Sequence, residues 1–163
     1  MKDNLTHEIE LYSLESFQTL LDHEVLRSRR YKTPVTLIHI AIETEPDRPE
    51  IQYSAEMFAI NILDAQLRDT DVPCRKGTEF LVLMPATDEA GGQIVCERLA
   101  KLFNVPHQTY DRVSFNLTIY VGMTSLPGDS SLTSNSLIQQ AAKAMQHARE
   151  HKLTSAVIFS KIA

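Results

Sequence analysis

The stretch that most constrains the fold is Val35 to Ile42, VTLIHIAI. It is rich in β-branched residues and apolar almost throughout, the pattern of a strand buried on both faces. Such a strand implies a central sheet with helices packed on its faces.

The flanking segments supply that setting. Leu11 to Arg30 places Leu14, Phe17, Leu21 and Val25 at helical spacing, with a basic end at Arg27, Arg29 and Arg30, and Thr33-Pro34 stops it. Glu43 to Glu50 contains Pro46 and Pro49 and reads as loop; Tyr53 to Arg68 reads as a helix with Phe58, Ile62 and Ala65 on one face. Val72 to Arg75 and Glu79 to Met84 form a predicted hairpin with a tight turn at Lys76-Gly77-Thr78, and Pro85 ends its second strand. Thr87 to Phe103 reads as a helix capped by Thr87 or Asp88, with a stripe of Ile94, Val95, Leu99 and Leu102. Val113 to Met123 alternates as one long strand with Val113, Phe115, Leu117, Ile119 and Val121 on one face. Ser125 to Ser134 reads as loop. Ser136 to His151 is a helix with Leu137, Ile138, Ala141, Met145 and Ala148 inward, and Ala156 to Phe159 a last strand. The expected order α-β-α-β-β-α-β-α-β is an α+β sandwich: a central mixed sheet with one hairpin and helices on both faces, a single domain over 1–163 with its core at about 11–160.

Composition excludes several functions. The chain has 163 residues and five glycines, Gly77, Gly91, Gly92, Gly122 and Gly128, which assemble neither G-x-G-x-x-G nor G-x-x-x-x-G-K-[ST]. A net charge of −5 argues against binding a nucleic-acid polymer, while permitting a local basic pocket for a small anion. Cys74 and Cys96 are too few for a disulfide framework, and reduced thiols in a cytoplasmic protein are the simplest reading. MKDNLTHEIE lacks the apolar run of a signal peptide, and no apolar run approaches the roughly 20 residues of a membrane helix.

Single residues favour structural roles. His147 and His151 stand four apart on a helix, but no third ligand accompanies them, so no metal site is expected. His39, in an apolar strand, reads as a core histidine, and Met84 and Met145 as core fillers. The lone R-x-x-D, Arg68-Asp69-Thr70-Asp71, reads by itself as a solvated charge pair at a helix end.

The context of that motif adds a resemblance. The run from Arg68 through Asp71, Arg75, Lys76, Gly77, Thr78, Glu79 and Phe80 to Pro85 resembles the signature of GGDEF domains, the diguanylate cyclase family, in which R-x-x-D precedes a strand, the GG[DE]EF turn and an apolar strand ending in proline. Phe17, Glu24, Arg27 and Arg30 resemble the family's first helix, PVTLIHIAI its first strand, Ala90 to Leu99 with Glu97-Arg98 its A-x-x-x-A-E-R helix, Ile119 to Met123 its S-I-G-V strand, and Ala141 to Arg149 its A-D-x-A-L-Y-x-A-K helix.

The resemblance implies condensation of two GTP molecules to cyclic di-GMP, a phosphoryl transfer that needs metal held by carboxylates. At the matching positions those groups are missing. The metal-binding Asp corresponds to Ala41 and the acidic third residue of GG[DE]EF to Thr78, in a turn one residue shorter, in which one glycine becomes Lys76 or is deleted. The guanine-reading Asn and Asp correspond to Pro49 and Phe58, which cannot make those bonds. The late phosphate-contacting Lys corresponds to Arg149, and the Arg beyond it to Leu153; Glu43 and Glu79 survive as nearby acids. No catalytic residue, metal or cofactor is expected, and Lys76, Gly77, Thr78, Glu79 and Phe80 read as a degenerate active-site turn.

The family's product-binding site fares differently. Its R-x-x-D, its Arg on the following helix and the Arg lent by a neighbouring domain correspond to Arg68, Asp71, Arg98 and Arg27. Arginine's planar fork suits O6 and N7 of guanine and can stack on the base, and a carboxylate accepts from N1–H and N2–H. The expected function is therefore an inactive GGDEF-like receptor for cyclic di-GMP, with a second copy or an unknown protein as further partner and no membrane association. The alternative is an interaction or dimerisation scaffold indifferent to the nucleotide.

Overall fold

The computed structural model describes residues 11–45, 48–105 and 108–163. The readings of MKDNLTHEIE as free of a signal peptide and of Pro46 as loop fall outside those residues.

The elements follow in the order α1 (Leu14–Tyr31), β1 (Val35–Glu43), α2 (Pro49–Gln66), β2 (Val72–Lys76), β3 (Glu79–Pro85), α3 (Glu89–Phe103), β4 (Gln108–Tyr110), β5 (Val113–Phe115), β6 (Thr118–Leu126), α4 (Ser134–Glu150) and β7 (Val157–Ile158), closed by a 3-10 turn at Phe159–Lys161. Five strands form one sheet in the order β2-β3-β1-β6-β7, antiparallel except for the β6–β7 pair. As its composition requires, β1 lies at the centre, buried from Val35 to Ile42. Ile38, Ile40, Phe80, Val82 and Met84 point to one face, where Ala55, Ala59 and Leu63 of α2 and Cys96, Leu99 and Phe103 of α3 cover them. Leu37, Leu81 and Leu83 point to the other, against Phe17, Leu21 and Val25 of α1 and Leu137 and Ala141 of α4. The expected α+β architecture, with helices on both faces, is the one observed.

Several details differ. Val113 to Met123 is two strands: β5 turns back on β4 through Asp111-Arg112 to make a separate two-stranded sheet, while β6 pairs with β1. Alternation reports which face a residue buries, and Val113, Phe115, Leu117, Ile119 and Val121 do pack in one cluster, but it is silent on the pairing partner. Leu14, Ile94 and Leu102 are exposed rather than inward. The buried stripe of α3 is Gly92, Cys96, Leu99 and Phe103, a 4-3-4 spacing carried partly by residues that do not look like core. α2 starts at Pro49, which suits the first helical turn, and ends at Gln66, leaving Arg68 beyond the helix. β1 continues through Glu43 and β6 through Leu126, while β7 is only Val157–Ile158.

Candidate functional site

β3 runs between two candidate sites. Its start, Glu79, pairs with Ala41 of β1 and Lys76 of β2; its end, Pro85, pairs with Val35. At about 3.3 Å per residue the two ends are roughly 20 Å apart.

At the Glu79 end the hairpin closes through Gly77-Thr78 alone, with φ +62° at Gly77 and no positive φ at Thr78, the backbone of a type II′ turn. Ala41 is fully buried. The acids that survive are already engaged. Glu79 Oε1 lies 2.7 Å from His39 Nε2, and Arg149 reaches both remaining carboxylates, with Nε 3.4 Å from Glu43 Oε1 and Nη2 3.8 Å from Glu79 Oε2. A guanidinium thus stands between the two carboxylates that a divalent cation would need. Burial lowers the His39 pKa from 6.5 against the opposing pull of Glu79. Its Nδ1 is buried without a partner, as fits a neutral ring donating Nε2–H to Glu79. Among the described residues no cluster of three or more His, Cys, Asp and Glu has metal-holding geometry. The residues present here do not fit a metal.

The adjoining cleft, about 480 Å³, is lined by Glu43, Thr44, Glu45, Arg48, Pro49, Gln52 and Thr78. Gln52 is tied between Thr44 Oγ1 (2.8 Å) and Glu56 Oε1 (2.9 Å), and Pro49 offers no donor. Phe58 sits edge-on to Phe103 and Phe115, at ring separations of 6.1 and 5.8 Å, so it fills core rather than reading a base.

At the Pro85 end Arg68 and Asp71 form a closed turn. The Asp71 amide donates to the Arg68 carbonyl (3.0 Å), and Asp71 Oδ2 accepts the Arg68 amide (2.9 Å). Arg68 Nη2 bonds Asp71 Oδ1 (3.1 Å) and Thr87 Oγ1 (2.8 Å). The Asp71 side chain is 1% exposed and that of Arg68 56%. The expected charge pair is therefore present, but its carboxylate is buried rather than solvated. Arg98 Nη2 donates to the Gln66 carbonyl (3.0 Å), which brings α3's arginine beside the end of α2, two residues before Arg68. Arg27 is not brought to them. It pairs with Glu24 (3.1 Å) on α1, across the sheet from α2 and α3. Of the two caps the sequence offers, Thr87 and Asp88, it is Asp88 that caps α3, its Oδ1 accepting from the Gly91 amide, while Thr87 contacts Arg68.

The sequence profile described as the diguanylate cyclase GGDEF domain matches residues 57–154. The chain belongs to the GGDEF family. No curated protein matches it in sequence. Solved GGDEF domains share its fold. The active GGEEF domain of a diguanylate cyclase from Vibrio cholerae superposes with a TM-score of 0.76 at 15% identity, over 92% of this chain and 98% of that one. The GGDEF domain of DgcB from Caulobacter crescentus, in complex with c-di-GMP, superposes with a TM-score of 0.79 at 12% identity, over 98% of each chain. The FimX GGDEF domain from Pseudomonas aeruginosa gives 0.75 at 18%, over 91% of this chain and 94% of that one. Within this GGDEF domain, Arg68, Asp71 and Arg98 lie at one end of the sheet and the Gly77-Thr78 turn at the other.

Among the described residues no helix is long and apolar enough to cross a membrane. Burial pushes the Cys74 thiol up to about 11 and the Cys96 thiol up to about 12, so neither is a nucleophile near neutrality.

Proposed function

We propose that this GGDEF domain has lost cyclase activity and serves as a receptor for cyclic di-GMP, held by Arg68 and Arg98, with the buried Asp71 orienting Arg68. The observation that carries the reading is the contrast between its two ends. Where a cyclase needs two acids and a metal, the domain has Ala41, Thr78 and an arginine between the remaining carboxylates. Where product would bind, it keeps two arginines on neighbouring elements and an ordered carboxylate.

The chemistry suits the ligand. The Arg68 guanidinium is anchored along its Nε/Nη2 edge and half exposed, which leaves Nη1 and a flat face for a guanine or a phosphate. Arg98 supplies a second positive charge from α3. Arg27, on the opposite face, would come from a second copy, so that ligand binding shifts the population towards a dimer.

Two assays test this reading. Incubation with GTP and Mg²⁺ is expected to yield no cyclic di-GMP; turnover would overturn the assignment of Ala41 and Thr78. Light scattering with and without cyclic di-GMP is expected to show ligand-dependent association that Arg27→Ala weakens. A molecular mass indifferent to the nucleotide favours the scaffold reading.

A further inference from the structure

Arg68 is an exposed member of the proposed site, yet its side chain is held from a point nineteen residues further along the chain. Thr87 Oγ1 accepts from Arg68 Nη2 at 2.8 Å and donates to the Pro85 carbonyl at 2.9 Å. One hydroxyl makes both bonds, so its proton is directed at Pro85 and its lone pairs at the guanidinium. The backbone of Thr87 is clamped as well. Its carbonyl accepts from Thr36 Oγ1 at 2.8 Å, and Thr36 is fully buried on the central strand β1 and bonded in turn to Ser125 of β6. The preceding residue, Ala86, has φ +49°, an unfavourable conformation for a residue with a Cβ. The turn Pro85-Ala86-Thr87 is thus held in a strained shape by the middle of the sheet, and it delivers one hydroxyl to one arginine.

We infer that Thr87 is a positioning residue for cyclic di-GMP binding: it fixes the plane of the Arg68 guanidinium before ligand arrives. The inference rests on the proposed receptor function. An arginine side chain loses much rotamer freedom when ordered. Asp71 alone fixes one edge of the fork, and the second contact at Nη2 removes the remaining swing. Ordering that is complete in the free protein is not charged against binding.

The test is calorimetric titration with cyclic di-GMP of the wild type, Arg68→Ala, Thr87→Val and Thr87→Ser, with thermal melting of each. Thr87→Val keeps the shape and removes the hydroxyl; Thr87→Ser keeps the hydroxyl and removes the methyl. Expected are binding by the wild type, loss in Arg68→Ala, roughly two- to tenfold weaker binding in Thr87→Val, and recovery in Thr87→Ser. Because affinity is read on folded protein well below each melting temperature, a merely structural role would lower the melting point of Thr87→Val without moving the dissociation constant. Wild-type affinity in Thr87→Val, or equal weakening in Thr87→Ser, overturns the inference while leaving the receptor function standing. No binding by the wild type overturns both.

Discussion

A Cβ at Gly122 would lie 2.0 Å from the backbone nitrogen of Met145 and 2.6 Å from the Ala141 carbonyl oxygen. α4 therefore rests directly on β6, and neither backbone can yield without separating helix from sheet. Gly122→Ala is expected to cost more than about 3 kcal/mol in chemical denaturation, at the upper end of overpacking effects. His39 gives a prediction in pH. Its pKa is lowered by burial, so below 6.5 the unfolded chain binds more protons at this position than the folded one. Its contribution to stability is complete above 6.5 and is lost as the pH falls, by up to about 1.4 kcal/mol per unit. Between about pH 7.5 and 5.5 the wild type is expected to lose more stability than His39→Gln, whose amide still donates to Glu79 but does not titrate. Equal slopes would show that the imidazole is not held neutral. The sequence marked His39 as a core residue correctly. Its bond to Glu79 was not legible, because strands β1 and β3 meet only through their register.

The element that least matches its own sequence is the β4–β5 hairpin. Tyr110 pairs with Val113 across a two-residue loop, and Asp111 and Arg112 both have positive φ, at 48° and 66°. Turns of this shape favour Asn-Gly or Asp-Gly. Arg112→Gly is expected to stabilise the domain by about 0.5–1 kcal/mol, the relief of a left-handed arginine less the freedom gained by the unfolded chain. A melting temperature below the wild type's would contradict this. The absent glycine also explains why the sequence reads as continuous strand here: the punctuation that marks such a turn is missing. Where punctuation exists, as at Thr33-Pro34, Gly77 and Pro85, elements end within a residue or two of it. The buried stripe of α3 departs from the apolar pattern of its sequence for a related reason. Gly92 lies inward, where a Cβ would come within 2.8 Å of Met123 and Thr36, and glycine carries no hydropathic signal.

Across the whole molecule, a charge of −5 coexists with a cluster of arginines at one end of the sheet. The other end has spent its arginine on its own carboxylates. This separation along β3 is what the proposed receptor reading requires: one end can change without disturbing the other. The contact between Arg68 and Asp71 was legible because their spacing of three suits a single turn, and the place of Arg98 on the following helix because it continues a recognisable pattern. The contact between Thr87 and Arg68 was not, since it depends on how the end of β3 bends back over the end of α2. The central claim, a receptor site at Arg68, Asp71 and Arg98, is tested most directly by calorimetric titration of cyclic di-GMP into the wild type and into Arg68→Ala. Saturable heat in the wild type that disappears in a folded Arg68→Ala is the predicted result. Absence of heat in the wild type, or the same isotherm in both, would contradict it.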